Sequence, residues 1–139
     1  MPYLLDTGVL TAYLQQRPAI TALVEPWVQQ GEARSCLLVY GEIVEYFYSL
    51  PNAPQRITQL QTLVSVLGAL NLTQAIEERY ATIRRALRPP QGPGIIGDLD
   101  TLIAATALEE QLTLVTADSD FQRVPGLTLM LLPHSQLKR

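Results

Sequence analysis

Strand-length apolar runs alternate with segments of helical periodicity along this chain, and this alternation constrains its fold more than any other feature. The strand pattern is clear in four places: PYLLD (2–6), RSCLLVY (34–40), LTLVT (112–116) and LTLMLLP (127–133). The segments between them have apolar residues at helical spacing. Strands that alternate with helices predict an α/β fold, a three-layer α/β/α domain with a mainly parallel central sheet of about five strands.

The helices are predicted with different clarity. Six segments have helical spacing: 7–15, 20–30, 41–50, 54–67, 72–88 and 98–111. We expect Thr7 to cap the first of them and Pro26 to interrupt the second. VSVLGAL (64–70) fits either the end of the fourth helix or a short third strand. The Pro/Gly-rich stretch 89–97 is short enough for a surface loop, so residues 1–139 are expected to form a single domain.

Two residue types that often build catalytic and metal sites are nearly absent: the chain has one cysteine, Cys36, and one histidine, His134. This excludes an intrachain disulfide and a cysteine-ligated zinc site, and it disfavours a Ser-His-Asp triad. Any metal must then be held by oxygen ligands, which favours Mg²⁺ or Mn²⁺. No apolar stretch has the length of a membrane-spanning helix, and MPYLLDTGVL lacks a basic segment before an apolar run, so we expect a cytoplasmic protein without a membrane partner.

Carboxylates concentrate at predicted strand ends and helix starts. All five aspartates lie at such positions: Asp6, Asp98, Asp100, Asp118 and Asp120. Glu42 lies in the predicted first turn after the second strand. Because ligands of parallel α/β sheets bind beyond the carboxyl ends of the strands, we expect most of these carboxylates at one edge of the sheet.

A structural role explains each of these acids when it is taken singly. Aspartate is a favoured N-cap, and the helix macrodipole explains a glutamate in a first turn. Asp98 and Asp100 are two residues apart, however, so only one of them can cap the helix; we take Asp98 as the cap and Asp100 as the residue facing the cleft. Two like charges about 4 Å apart repel by about 4 kcal/mol at an effective dielectric constant of about 20, so clustered carboxylates need protons or a divalent cation.

Three sets of motifs follow one another along the chain: LLDTGVL at the start, YGEIVEYF near residue 40, and residues 85–121. The last stretch has an acid three residues before Ile-Ala-Ala, then a strand ending in threonine, then an acid two residues later. In these motifs the chain resembles a PIN domain, and specifically the VapC-type toxin ribonucleases of toxin–antitoxin pairs. The resemblance implies Mg²⁺- or Mn²⁺-dependent endonucleolytic cleavage of single-stranded RNA, a homodimer, and a cognate antitoxin whose C-terminal segment crosses the acidic site.

The resemblance also implies roles for individual residues. The catalytic acids that it implies are Asp6, Glu42, Asp100 and Asp118. Of these, we expect Asp6, Asp100 and Asp118 to hold the metal most directly. Thr7 and Thr116 match hydroxyl residues that hydrogen-bond within the acidic site, and Asp98 and Asp120 are additional, supporting acids.

A group of arginines precedes the Pro/Gly-rich stretch. RYATIRRALR (79–88) contains four arginines and no acid. Because a guanidinium binds phosphate in a bidentate manner, Arg84, Arg85 and Arg88 are candidates for binding the RNA backbone. A solvated helix face and a contact with the antitoxin are the alternatives. The net charge of −3 argues mildly against a nucleic-acid binder.

Two other functions are compatible with part of the pattern. A haloacid-dehalogenase-type phosphatase needs a second aspartate two residues after the first, and Asp6-Thr7-Gly8 lacks it. A non-catalytic PIN-like binding module would act through an antitoxin or dimer interface and would have no reason to take up Mn²⁺. The four acids favour the metal-dependent ribonuclease.

Overall fold

The structure is a computed structural model and describes residues 2–138. In chain order its helices and strands are β1 (Tyr3–Leu5), α1 (Thr7–Leu14), α2 (Pro18–Gln29), β2 (Ala33–Cys36), α3 (Leu37–Tyr48), α4 (Ala53–Leu67), β3 (Ala69–Leu70), α5 (Gln74–Leu87), α6 (Asp98–Glu109), β4 (Thr113–Thr116) and β5 (Leu129–Leu131). Two short 3₁₀ helices occupy Ser119–Arg123 and His134–Leu137. No α-helix in this part of the chain is long and apolar enough to cross a membrane.

The strands form one parallel sheet in the order β3-β2-β1-β4-β5. The chain moves outward from β1 to β3 on one side and then crosses to the other side of β1 for β4 and β5. The direction of winding therefore reverses between β1 and β4. At such a switch point a crevice forms outside the carboxyl ends of the two strands, here beyond Leu5 and Thr116.

The two central strands are buried on both faces. Leu4, Leu5, Leu114 and Val115 have no exposed surface. Continuous apolar strands of this kind are typical of parallel sheets that helices cover on both sides. The five-stranded sheet and its six flanking helices confirm the predicted three-layer α/β/α class.

The predicted second strand, 34–40, is too long. β2 ends at Cys36, and α3 begins at Leu37. A short apolar run does not distinguish a buried strand from a buried helix segment by its periodicity, and here the run spans both. As a consequence Glu42 is the sixth residue of α3 and lies in its second turn, so the prediction of a first-turn position is wrong. The helix macrodipole acts mainly within the first turn and therefore explains Glu42 less well.

Two further helix predictions are settled by the structure. The predicted interruption at Pro26 is wrong, because α2 continues through this residue. A proline removes one intrahelical hydrogen bond, and the adjacent Trp27 holds the helix against the sheet by stacking on Tyr3 with ring centroids 3.7 Å apart. In the segment 64–70 both alternatives are partly right, since α4 ends at residue 67 and β3 follows. Gly68 separates them with a φ of +77°, a conformation that favours glycine.

Candidate active site

The four acids implied as catalytic lie around the crevice between β1 and β4. Asp6 directly follows β1, and Asp118 lies two residues after the end of β4. Asp100 is the third residue of α6. Glu42 lies on α3, which packs against α6. Two strand ends and two helices thus bring acids from distant parts of the sequence to the same edge of the sheet.

Thr116, the last residue of β4, connects two of these acids. Its hydroxyl donates a hydrogen bond of 2.6 Å to Oδ2 of Asp6. The same hydroxyl oxygen accepts a hydrogen bond of 3.1 Å from the backbone N–H of Asp118. The parallel register of β1 and β4 makes this possible, because it places Leu5 beside Val115 and brings the next residues of both strands together.

Thr7 makes the corresponding contact with Glu42. Its hydroxyl donates a hydrogen bond of 2.6 Å to Oε1 of Glu42. The prediction that Thr7 caps α1 is wrong, because Asp6 occupies the N-cap position and Thr7 is the first helical residue. The carboxylate of Asp6 makes no capping hydrogen bond in that position. Both threonines therefore direct their hydroxyls to acids.

The acids are close enough to perturb one another's ionisation. Burial first, and then the charges of Asp6, Asp118, Glu42 and Asp120 in that order, together raise the pKa of Asp100 from 3.8 to about 6. Burial also raises the pKa of Asp6, with smaller contributions from the charges of Glu42 and Asp118, and the hydrogen bond from Thr116 opposes this increase. Five carboxylates thus share one region of negative potential, which we call the acidic region: Asp6, Glu42, Asp100, Asp118 and Asp120.

Asp118 and Asp120 also have a local structural role. Oδ1 of Asp118 accepts a hydrogen bond of 2.9 Å from the backbone N–H of Asp120, which caps the 3₁₀ helix Ser119–Arg123. The carboxylate of Asp120 lies 3.6 Å from the guanidinium of Arg123. Asp118 therefore both caps this 3₁₀ helix and belongs to the acidic region.

The prediction that Asp98 caps α6 is wrong. Gly97 occupies the N-cap position, and Asp98 is the first residue of the helix. Oδ1 of Asp98 accepts a hydrogen bond of 3.1 Å from the Tyr80 hydroxyl and pairs with the guanidinium of Arg84. Close packing of α5 against α6 explains this, since a charge-assisted hydrogen bond to a neighbouring helix is stronger than a bond to the helix's own backbone.

The structure separates the three candidate arginines. Arg84 faces α6, where it pairs with Asp98, and only 22% of its side chain is exposed. Arg85 and Arg88 are exposed near the end of α5. The two exposed arginines therefore differ from Arg84 in their accessibility to a phosphate backbone.

Cys36 is a neighbour of the site that the sequence did not reveal. It ends β2 and is buried, and this burial raises the pKa of its thiol. Backbone N–H groups of Val39 and Leu38 oppose the increase, whereas the charges of Asp6 and Glu42 add to it. The thiol therefore lies within the electrostatic reach of two site acids. The predicted second strand ran to Tyr40 and placed Cys36 inside it, so no signal in the sequence indicated that this thiol lies near the site.

The donor groups of this region fit a hard divalent cation by their chemistry. They are carboxylate oxygens, which Mg²⁺ and Mn²⁺ prefer, and their mutual repulsion would be relieved by positive charge. Within residues 2–138, no three aspartate, glutamate, histidine or cysteine side chains are grouped closely enough to hold a metal ion in the positions that they occupy. The fit is therefore one of donor type and charge and does not extend to a closed set of ligands.

A cavity of about 310 Å³ lies elsewhere, between α1, α2 and α4. Its lining includes Tyr13, whose hydroxyl donates a hydrogen bond to Glu25, and none of the site acids. Burial and this hydrogen bond raise the pKa of Tyr13 to about 12. The cavity is thus separate from the acidic region.

Comparison with protein families identifies a match that covers most of the chain. Residues 3–127 match the PIN domain. No curated protein sequence matches the chain.

Among solved structures, a chain of the VapBC2 complex of Rickettsia felis, bound to a DNA fragment from its promoter, has a TM-score of 0.80 and 25% identity over 95% of this chain and 99% of the other. VapBC-1 from nontypeable Haemophilus influenzae gives a TM-score of 0.78 and 24% identity over 94% and 98% of the two chains. VapBC from Salmonella typhimurium, bound to DNA, gives a TM-score of 0.80 and 19% identity over 94% of this chain and 97% of the other. The last two, below 25% identity, show the fold alone. Together with the family match, these findings confirm the resemblance to VapC-type PIN domains.

Proposed function

This chain belongs to the PIN-domain family, and from that premise we propose that it is a VapC-type toxin that cleaves single-stranded RNA endonucleolytically with the help of Mg²⁺ or Mn²⁺. The nuclease class rests on the family. The metal and the RNA substrate are parts of the proposal that rest on the chemistry of the acidic region and on the resemblance in the motifs. We further propose that residues 1–139 act as one PIN domain in the cytoplasm.

The observation that carries the proposal is the effect of four other carboxylates on Asp100. Burial is the first cause of its raised pKa, and the next four causes are all negative charges from β1, α3 and the segment after β4. A cluster of this kind is costly to the fold unless protons or a cation balance it. Sites with such strongly perturbed carboxylates are frequently functional. A structural role for each acid taken singly does not explain why they share one region.

We assign the metal to Asp6, Asp100 and Asp118, with Glu42 completing the ligand set or orienting the attacking water. A bound divalent ion would supply a water of lowered pKa and would offset charge on the leaving oxygen. The chain's own residues prepare the acids for this. Thr116 stabilises the charged form of Asp6 through its hydrogen bond, and Thr7 fixes the direction of the Glu42 carboxylate. Asp6, Glu42, Asp100 and Asp118 are half-buried, so the protein partly shields them from water.

The proposed RNA contacts are made by arginines at the end of α5. Arg85 and Arg88 are exposed and precede the loop that leads into α6, so a phosphate backbone entering the acidic region would pass near positive charge. Arg84, the third candidate for this role, is already paired with Asp98. A cognate antitoxin is proposed as a partner because the chain resembles VapBC toxin-antitoxin structures. The proposed homodimer rests on the resemblance in the sequence motifs alone.

The proposal is tested by Asp6→Asn in the purified protein. We expect this variant to lose Mn²⁺-dependent cleavage of single-stranded RNA and to bind Mn²⁺ at least about tenfold more weakly, because it removes a charged ligand. Glu110→Gln is the matched control, since it removes one negative charge at the exposed end of α6, away from the site. Full activity of Asp6→Asn, with the control also active, would reject the mechanism.

A non-catalytic binding module is the alternative, and the same protein distinguishes it. Calorimetric titration with Mn²⁺ should show binding if the acids form a metal site. A wild-type protein that neither binds Mn²⁺ nor cleaves RNA, yet remains folded, would favour the binding module.

A further inference from the structure

A cluster of three side chains joins α5 to the first turn of α6 beside the proposed site. Arg84 and Tyr80 lie one turn apart on α5, and both contact the same atom, Oδ1 of Asp98. The Arg84 guanidinium also lies over the Tyr80 ring, 5.7 Å from its centroid. Arg84 is mostly covered, with 22% of its side chain exposed, whereas 71% of the Asp98 side chain is exposed. Water therefore screens this pair from the Asp98 side, and the contact depends on the geometry of Tyr80 and Arg84 around one oxygen atom.

The first turn of α6 lies between buried Ile96 and buried Thr101, and its own capping residue adds no side-chain hydrogen bond. Its N-cap residue is Gly97, which has no side chain to accept hydrogen bonds from the orphan backbone N–H groups. The helix follows a loop rich in proline and glycine. The Thr101 hydroxyl bonds back to the Gly97 carbonyl at 2.8 Å, which stays within the same turn. The contact between Asp98 and α5 therefore ties this turn to the rest of the protein.

Asp98 and Asp100 are two residues apart and have different electrostatic surroundings. Asp98 is engaged by a cation, whereas Asp100 is surrounded by acids. The main charges that act on Asp100 come from residues distant in sequence, and Asp98 is not among them. Arg84 thus pairs with a sixth carboxylate, that of Asp98, at the edge of the acidic region.

We propose that Arg84 is a positioning residue, which acts through Asp98 to hold the first turn of α6 so that Asp100 is presented to the acidic region. Arg84 then has no direct contact with the RNA. The expected effects of Arg84 on metal binding and cleavage rest on the function proposed above. The tether, by which we mean the contact of Arg84 and Tyr80 with Asp98, is a property of the fold.

The experiment compares Arg84→Ala, Asp98→Asn and the double variant with the wild type. Removal of either Arg84 or the charge of Asp98 should weaken Mn²⁺ binding about tenfold, because the loss of a group that orients a metal ligand typically lowers metal affinity by this factor. The double variant should be no weaker than either single variant, because both substitutions break one contact. Arg84→Lys, which keeps the positive charge, should recover part of the affinity. Cleavage should fall in kcat with little change in KM.

Arg79→Ala is the matched control. Arg79 pairs with Glu109 at 3.0 Å and so joins the same two helices at the opposite end of α6. The control tests whether the loss of any ion pair between α5 and α6 weakens Mn²⁺ binding simply by destabilising the fold. In that case Arg79→Ala would weaken Mn²⁺ binding as much as Arg84→Ala does. We expect it to leave Mn²⁺ affinity unchanged.

Amide hydrogen exchange over residues 97–101 in metal-free protein provides a readout that does not depend on the proposed function. Exchange in this turn should accelerate equally in Arg84→Ala and Asp98→Asn and should not accelerate in Arg79→Ala. Unchanged exchange would overturn the tether. RNA binding provides a second way to overturn the positioning role. If Arg84→Ala weakens RNA binding by the same factor in the wild type and in the Asp98→Asn variant, Arg84 acts independently of Asp98 and contacts the RNA directly. If the wild type neither binds Mn²⁺ nor cleaves RNA, the proposed function fails, and hydrogen exchange still decides on the tether.

Discussion

Asp100→Asn should stabilise the metal-free protein while it abolishes activity. The pKa of Asp100 rises from its ordinary value of 3.8 to about 6 in the folded chain, so the folded protein binds its proton more tightly than the unfolded chain does. Well below pH 3.8 the carboxyl is protonated in both states, and its contribution to stability is fully present. As the pH rises through 6, the folded protein must ionise a partly buried carboxyl among other acids, and that contribution is lost.

The size of the effect follows from the same pKa values. One pKa unit corresponds to about 1.4 kcal/mol, so the change from 3.8 to about 6 sets an upper limit of about 3 kcal/mol at neutral pH. Solvent screening of this partly covered group reduces the expectation to about 1–2 kcal/mol. For a chain of this length, that difference corresponds to an increase in Tm of about 3–8 °C.

The assay is chemical denaturation of the wild type and Asp100→Asn in EDTA between pH 4 and pH 7.5. The difference between the two free energies of unfolding should be smallest near pH 4 and grow as the pH rises, with the variant more stable. Addition of Mn²⁺ should stabilise only the wild type, because only its folded state binds the ion. Glu110→Gln, an exposed control at the C-cap of the same helix, should show no such divergence. A variant no more stable than the wild type at pH 7.5 would refute the argument that Asp100 is destabilised by its acidic neighbours.

Three other changes test separate parts of the structure. Thr116→Val removes the hydroxyl that donates to Asp6 and should reduce cleavage about 10–100-fold, whereas Thr116→Ser should retain most of it; equal loss in both variants would argue against the hydrogen bond. Leu114→Ala, at a fully buried position of β4, should lower the free energy of unfolding by about 2–5 kcal/mol in urea denaturation, and a loss well below 1 kcal/mol would contradict its burial. Arg85→Ala combined with Arg88→Ala should reduce the slope of log RNA affinity against log salt concentration by about 1.4, and an unchanged slope would assign both arginines to a solvated helix face.

Local sequence determined the fold class and the strand ends of this protein. The apolar runs around Leu4 and Leu114 have the continuous hydrophobicity of central parallel strands, and the acids that follow them mark the carboxyl ends. Strand-to-helix alternation depends on side-chain periodicity, which can be read from neighbouring residues. For that reason the α/β/α architecture and the positions of Asp6 and Asp118 after their strands were predictable.

Only the tertiary structure decided which partner each side chain uses. Asp98 matches the pattern of a helix cap, yet it bonds to Arg84 on another helix, and Thr7 gives its hydroxyl to Glu42 thirty-five residues away. The boundary between β2 and α3 was hidden for a similar reason, because both elements bury apolar residues against the same core. Hydrogen bonds and charge interactions depend on distances between elements, and local periodicity contains no information about those distances.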